Sequence, residues 1–397
     1  MVSKRLVFFF PGFEPFRATG HMERFRRAAA RTAQAYEVAI EVAPETAPPA
    51  GEEMRPSLDM RAHAPGSFDT RTTVVFCDWG DVILDYAARP VATRLLDGVG
   101  AMLDFVVTGT LFRYMRTSWR YALFFAFPLL ALFGPALLAV LLAILGHALL
   151  PGGVGLLLGL GLGAALAALL WRLALTRLHL LTALDDWALA RDLCRGRNAA
   201  LERRIGEHCD ALALRLCGEG ADEIVVAAHS LGASLAVRAL SRALKAVRPG
   251  ADLQMLTVGS SLMKTALHPA AAPERDCVRH LVEEVALPWT DCQALSDPIN
   301  FYKSNPATSL GIAGGARPIV RRVHFKRLVS AQTYTRIKRD FFRLHRQFVL
   351  GVERRNPYSF HMLLLGPNPI PLFSRTGTVD LAPLPGAPAA SPSGAPR

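Results

Sequence analysis

EIVVAAHSLGASLAVRAL, residues Glu223 to Leu240, joins two apolar patterns of different period. Glu223–Ala227 begins the kind of continuous apolar run seen in a strand buried on both faces, and from Leu231 to Val247 apolar residues return at helical spacing. His229, Ser230 and Gly232 stand at the seam. A strand that turns sharply into a helix lifts the side chain at the turn clear of the sheet. It also leaves the N–H of the next residue, here Leu231, at the positive end of the helix. Ala228 and Gly232, two positions either side of Ser230, are small enough for the two backbones to crowd there. Ser230 is therefore a candidate nucleophile, and the Leu231 N–H a candidate donor to a developing oxyanion.

Outward from this seam, strands are expected at Arg5–Phe10, Tyr36–Val42, Thr72–Cys77, Leu253–Val258, near Val282–Leu287 and near Ile319–Phe325. Helices are expected at Met22–Ala35, Leu181–Leu216 (as one or two) and Leu231–Val247. The alternation predicts an α/β architecture with a mostly parallel sheet covered by helices on both faces. Ligands of such sheets bind beyond the carboxyl ends of the strands, which is where Ser230 falls. Pro44–Thr70, rich in proline, reads as a loop; it and the stretch after Tyr302 are where a lid would form. The tail Leu381–Arg397 reads as disordered from its Pro, Ala, Gly and Ser content. The start, MVSKRLVFFFPGF, reads as a strand entering a loop, because the apolar run Leu6–Phe10 is short for a signal peptide and lacks a cleavage site.

The 397 residues are 51% hydrophobic, which directs attention to a membrane segment. From Tyr121 to Trp171 there is no Lys, Arg, Asp or Glu. A bilayer crossing takes roughly 20 apolar residues, so this region holds two, at about 121–145 and 155–175, with a turn at Pro151-Gly152-Gly153. Gly134-Pro135 is expected to kink the first. Gly155, Gly159 and Gly163 share one face of the second, where small residues let helices approach closely. GLGLGA in this region is not read as a dinucleotide loop, since no strand precedes it. Arg113, Arg116 and Arg120 precede the hairpin, Arg172 and Arg177 follow its apolar core, and the turn carries no such charge. The positive-inside rule then puts both flanks on the cytoplasmic side of the inner membrane. A hairpin dipping into one leaflet is the alternative.

The net charge is +12, and residues 316–355 hold twelve Lys/Arg against Asp340 and Glu353. Beside a membrane anchor this points to anionic lipid headgroups; no recognised motif or stacking platform supports nucleic acid. A solvated charged face would read the same way. The cysteines, Cys77, Cys194, Cys209, Cys217, Cys277 and Cys292, form no CxxC pair and no metal-ligand spacing, so reduced buried thiols are expected and no metal site.

AHSLGAS resembles the GxSxG nucleophile elbow of the α/β-hydrolase family, in the lipase and esterase style GHSLGA, with Ala228 in place of the first glycine. The likeness covers about Arg5–Pro90 and Leu181–Gly366, so the resemblance divides the chain into residues 1–90 and 181–380 of a hydrolase domain, a membrane insertion at 91–180 and the tail 381–397. The insertion would lie between the third strand and the helix preceding the serine strand. The resemblance implies an oxyanion loop after an early strand, and VFFFPGF fits, with Pro11 replacing a histidine, Gly12 kept and Phe13 offering the second N–H. It implies an acid after a later strand; ALPWTDCQALSDPINFY selects Asp297, with Asp291 as rival. It implies a late histidine; FFRLHRQFVLG supplies His345, with an aromatic at Phe348, and His361 is the rival. The order Ser230, Asp297, His345 is the order of this fold. The activity that the resemblance implies is that of a serine hydrolase of an ester or thioester, with a lipid or acyl substrate, an acyl-enzyme intermediate and no cofactor. An acyltransferase using the same residues, or a non-catalytic membrane scaffold, are the alternatives; oligomeric state is not specified by the sequence.

Overall fold

The computed structural model describes residues 1–42, 56–150, 153–218 and 220–379. The first part runs β1 (Lys4–Phe10), α1 (Ala18–Tyr36), β2 (Ala39–Val42), β3 (Ser57–Ala64), β4 (Phe68–Phe76) and α2 (Gly80–Ala87). Then come α3 (Val91–Val107), α4 (Thr110–Thr117), α5 (Trp119–Leu149), α6 (Gly153–Arg177), α7 (Leu180–Arg195) and α8 (Ala199–Leu216). The remainder is β5 (Glu223–His229), α9 (Gly232–Ala246), β6 (Asp252–Val258), α10 (Leu262–Ala266), α11 (Ala272–Arg279), β7 (Trp289–Ala294), β8 (Ile319–Val323), α12 (Phe325–Leu328), α13 (Ala331–Ile337), α14 (Phe341–Arg346), α15 (Phe360–Leu365) and α16 (Ile370–Thr376).

One eight-stranded sheet organises these elements, in the order β2-β3-β4-β1-β5-β6-β7-β8. β2, β3 and β4 pair antiparallel, and every other pair is parallel. Side chains alternate across the sheet, so Phe8, Phe10, Val226 and Ala228 enter one core, while Val7, Phe9, Val225 and Ala227 enter the core on the opposite face. That two-sided burial explains why β1 and β5 read as unbroken apolar runs.

The structure corrects several expectations. No strand spans Val282–Leu287: His280–Glu284 is a π-helical turn, and the strand begins later, at Trp289. Leu281 and Val282 are buried while Glu283 and Glu284 are outside, which is a helical rather than an alternating pattern. Pro44–Thr70 is not all loop, because β3 and the start of β4 form a hairpin there, turned at Gly66 with φ +68°. Met60, Ala62 and Ala64 face inward and polar residues face out, a half-buried strand that prolines upstream disguise; residues 43–55 lie outside the described ones. As a result the insertion follows the fourth strand in the chain, not the third. The Tyr36 end of the expected second strand belongs to α1. Among the described residues no cysteine is in a disulfide; Cys77, Cys194 and Cys292 are buried, but Cys209 and Cys277 are half-buried and Cys217 is exposed. The tail 381–397 lies outside the described residues.

α5 and α6 are each long and apolar enough to cross a membrane. α5 stays helical through both Pro128 and Pro135. Their contact is built on missing side chains: a Cβ on Gly159 would lie 2.4 Å from the Leu142 carbonyl, and one on Gly163 would lie 2.8 Å from Ala139 Cα. The Trp171 indole donates to the Leu132 carbonyl at 2.7 Å. Gly159→Leu is expected to destabilise the hairpin by about 1–3 kcal/mol through overpacking. Gly161→Leu should be silent, since a Cβ there meets nothing within 4 Å. Thermal unfolding of the two variants in detergent checks the pair.

Candidate active site

β1, β5, β6 and β7 run parallel and in register, with Phe10 beside Ala228, His229 beside Val258, and Val258 beside Cys292. The loops leaving their carboxyl ends therefore converge. They carry Gly12 and Phe13, Ser230, Ser261 and Asp297 respectively.

Ser230 sits between β5 and α9 with φ +55°. A non-glycine residue in this region costs about 1–3 kcal/mol and persists where its surroundings fix it. The surroundings are tight. A Cβ on Gly232 would lie 2.3 Å from the Pro11 carbonyl and 2.5 Å from that of Phe10, so α9 starts hard against the end of β1. A Cβ on Gly12 would lie 2.9 Å from Ser230 Cβ. The loop through Pro11, Gly12 and Phe13 is thus pressed onto the elbow. Behind it, the buried Trp79 indole donates to the Pro11 carbonyl at 2.9 Å, and its ring meets that of Phe13 edge-on. Ala228 is fully buried in the strand, as the crowding requires, and Leu231 flanks the N-terminus of α9.

The structure brings Asp297 and His345 together. His345 Nδ1 lies 2.7 Å from Asp297 Oδ2, with both residues buried. The second carboxylate oxygen accepts the Ile299 N–H at 3.0 Å. Asn300 fixes the turn by donating to the Ala294 and Asp297 carbonyls and accepting from the Ala294 N–H. With Nδ1 donating to the carboxylate, the lone pair is left on Nε2, which is buried without a protein hydrogen-bond partner. His345 and Ser230 border one cavity of about 200 Å³. The Ser230 hydroxyl lies 3.4 Å from Ser261 Oγ, a neighbour that turns with the backbone, since the Ser261 N–H donates to the Ser230 carbonyl.

His229 has a part of its own. Its Nε2–H donates to the His345 carbonyl at 3.3 Å, and the two rings are 4.7 Å apart. Burial, then the neighbouring His345, pushes its pKa well below the ordinary value, so His229 stays neutral and holds the histidine loop to the elbow. Phe348 meets the His345 ring edge-on and packs on Gly259, which has φ +56°.

Neither rival joins the site. Asp291 is a strand residue whose carboxylate accepts from Thr257 Oγ1 at 2.5 Å and Gln293 Nε2 at 2.7 Å; burial pushes its pKa up to about 6. His361, in the first turn of α15, packs on Phe25 with the rings 4.7 Å apart and neither ring nitrogen hydrogen-bonded. Burial drives its pKa down to about 3. The unfolded chain takes up that proton near pH 6.5 while the folded one refuses it, so His361 lowers stability progressively as pH falls from 6.5 towards 3. His361→Phe is expected to stabilise the protein, by about 2 kcal/mol at pH 5 and little at pH 8. Denaturant unfolding at the two pH values checks it.

Sequence reasoning missed Ser261, Asn300 and the Trp79 brace. Ser-Ser after a strand and Asn after Asp-Pro are ordinary turn signals, and only the converging loops give them a role. A larger cavity, about 650 Å³, lies by Arg17, Asp78, Asp81 and Arg204, away from Ser230. Comparison of the chain with protein-family models, with curated proteins and with solved structures returns no match.

Proposed function

We propose that this chain is a membrane-anchored serine hydrolase of the α/β-hydrolase type, acting on an ester or thioester through an acyl-enzyme. The observation that carries the reading is one cavity, at the carboxyl edge of the sheet, lined both by a serine held at positive φ and by a histidine paired to a buried aspartate. Asp297 keeps His345 in the tautomer with its proton on Nδ1. His345 Nε2 takes the Ser230 proton as Oγ bonds to the substrate carbonyl carbon. The N–H groups of Leu231 and Phe13 receive the oxyanion, each donor contributing about 3–4 kcal/mol in comparable sites. His345 then protonates the leaving alcohol or thiol, and the acyl-enzyme is hydrolysed by water that gives its proton to His345.

The anchor is the α5–α6 hairpin, and the positive flanks favour a cytoplasmic hydrolase domain. Lys326, Arg327, Arg336, Lys338, Arg339 and Arg343 are exposed on and between α12, α13 and α14, a face suited to anionic headgroups. The test is labelling of the detergent-purified protein with a fluorophosphonate. Wild type should label and Ser230→Ala should not; folded wild type that stays unlabelled would count against hydrolysis and favour a scaffold.

A further inference from the structure

The catalytic elements and the membrane hairpin are in contact, and the cavity opens where they meet. His179 and Thr182, just past the end of α6, line the cavity together with Phe13, Phe16, Phe342 and Ser230. On α14, the helix that carries His345, Phe341 meets Phe124 and Phe127 of α5 at 6.4 and 6.1 Å, and Phe342 meets His179 at 5.7 Å. The Asp297 loop makes a similar contact, with Phe301 stacked on Tyr121 at 3.8 Å. All three α5 aromatics lie in the first nine residues of that helix, at its junction with the sheet domain. Phe13, Phe16 and Phe342 give the cavity an apolar side, and Phe16, Leu123 beside Phe124, and Leu178 beside His179 are exposed.

Resting on the hydrolase reading above, we infer that the substrate reaches Ser230 sideways from the bilayer. The occupant of the cavity is the acyl chain of a lipid ester that stays in the leaflet while its carbonyl rises to the serine. A chain leaving the hydrocarbon here passes along aromatic side chains without crossing water, which keeps its methylenes out of solvent. A water-borne short ester would gain nothing from this route. Arg346 and Glu14 close the polar end of the cavity, 3.7 Å apart.

The first arm needs no activity. Full-length Ser230→Ala protein is reconstituted into phosphatidylcholine/phosphatidylglycerol vesicles containing phosphatidylcholine with a diazirine in its acyl chain, and adducts are mapped after illumination. Adducts are expected on residues 11–16 and 341–346 as well as on the hairpin. Phe342→Glu, or Phe16→Ser if that variant misfolds, should lower the former at least about fivefold and spare the latter, since a polar group at the mouth costs on the order of 1 kcal/mol or more. Adducts confined to the hairpin would overturn the lateral route. The second arm compares a long-alkyl with a short, water-soluble fluorophosphonate on wild-type vesicles. The long probe should label at least about tenfold faster, as a few buried methylenes suffice for that; equal rates would overturn the route and leave the hydrolase standing. Cavity adducts without labelling by either probe would keep the route and remove the hydrolase.

Discussion

On the proposed hydrolase reading, Asp297→Asn is expected to lower turnover of a p-nitrophenyl ester about 10⁴-fold at neutral pH while leaving the fold intact, by analogy with the corresponding change in serine hydrolases. The size comes from the tautomer. The carboxylate accepts the His345 Nδ1–H at 2.7 Å and so frees Nε2 for the serine proton. An amide at this position can donate to Nδ1, which moves the ring proton to Nε2 and removes the base. It also withdraws the negative charge that stabilises imidazolium. The turn should survive, because an Asn carbonyl can still accept the Ile299 N–H now bound by Oδ1. Asp291→Asn is the control, with a rate within about threefold of wild type, since changes remote from a site rarely exceed that. Steady-state rates and thermal midpoints of the two variants decide the matter. An Asp297→Asn rate within about tenfold of wild type would remove Asp297 from the mechanism.

Arg5→Met is expected to cost about 3–5 kcal/mol of stability, the largest effect of a single change away from the site. Arg5 is buried in β1, its Nε 2.7 Å from Glu223 Oε2 in β5, and its terminal nitrogens donate to the Leu364, Gly366 and Asn368 carbonyls. Burial lowers the pKa of the guanidinium and Glu223 opposes that, so Arg5 keeps its charge. Removing the arginine strands a buried carboxylate whose remaining donor is the Ile370 N–H at 2.8 Å, and it unfastens the segment after α15 from the sheet. Arg5→Met with Glu223→Gln should lose less than Arg5→Met alone, because the stranded charge is gone. Denaturant unfolding of the three proteins in detergent measures the cycle; equal losses in the single and double variants would mean that the charge is not what matters.

The parts of this architecture that were legible in the sequence are those where one physical demand dominates. Two-sided burial made β1 and β5 continuous apolar runs. Crowding at the elbow demanded Gly232, and the uncharged stretch between Tyr121 and Trp171 gave two helices long and apolar enough to cross a membrane. Helix contact demanded Gly159 and Gly163. What escaped depends on partners distant in the chain. β3 is a half-buried strand whose alternation includes Asp59, Arg61 and His63, and it has meaning only between β2 and β4. Asp291 and Asp297 are near neighbours in the chain, and what separates them is that Asp291 lies within β7 while Asp297 lies in the loop beyond it. His345 and His361 differ in whether a carboxylate faces the ring. The contact of Phe301 with Tyr121 joins residues far apart in the chain and has no local signature.

β1 is hydrogen-bonded to β4 on one side and to β5 on the other, and the whole apolar insertion lies between those two neighbours in the chain. A sheet laced through a single strand cannot straddle a bilayer, so the number of crossings between Phe76 and Glu223 must be even. α3 and α4 together have the length and apolarity of a bent crossing, yet a third crossing would leave β5 to β8 on the wrong side from β1. Parity excludes it, and the docking of α4 agrees, with the Tyr114 hydroxyl donating to the Lys264 carbonyl and Arg113 to that of Leu267. With the hairpin as the proposed anchor, exposed Val107 and Phe112 would then lie along the membrane surface instead of through it. A protease added to one face of sealed vesicles must therefore reach the chain on both sides of the insertion, or on neither.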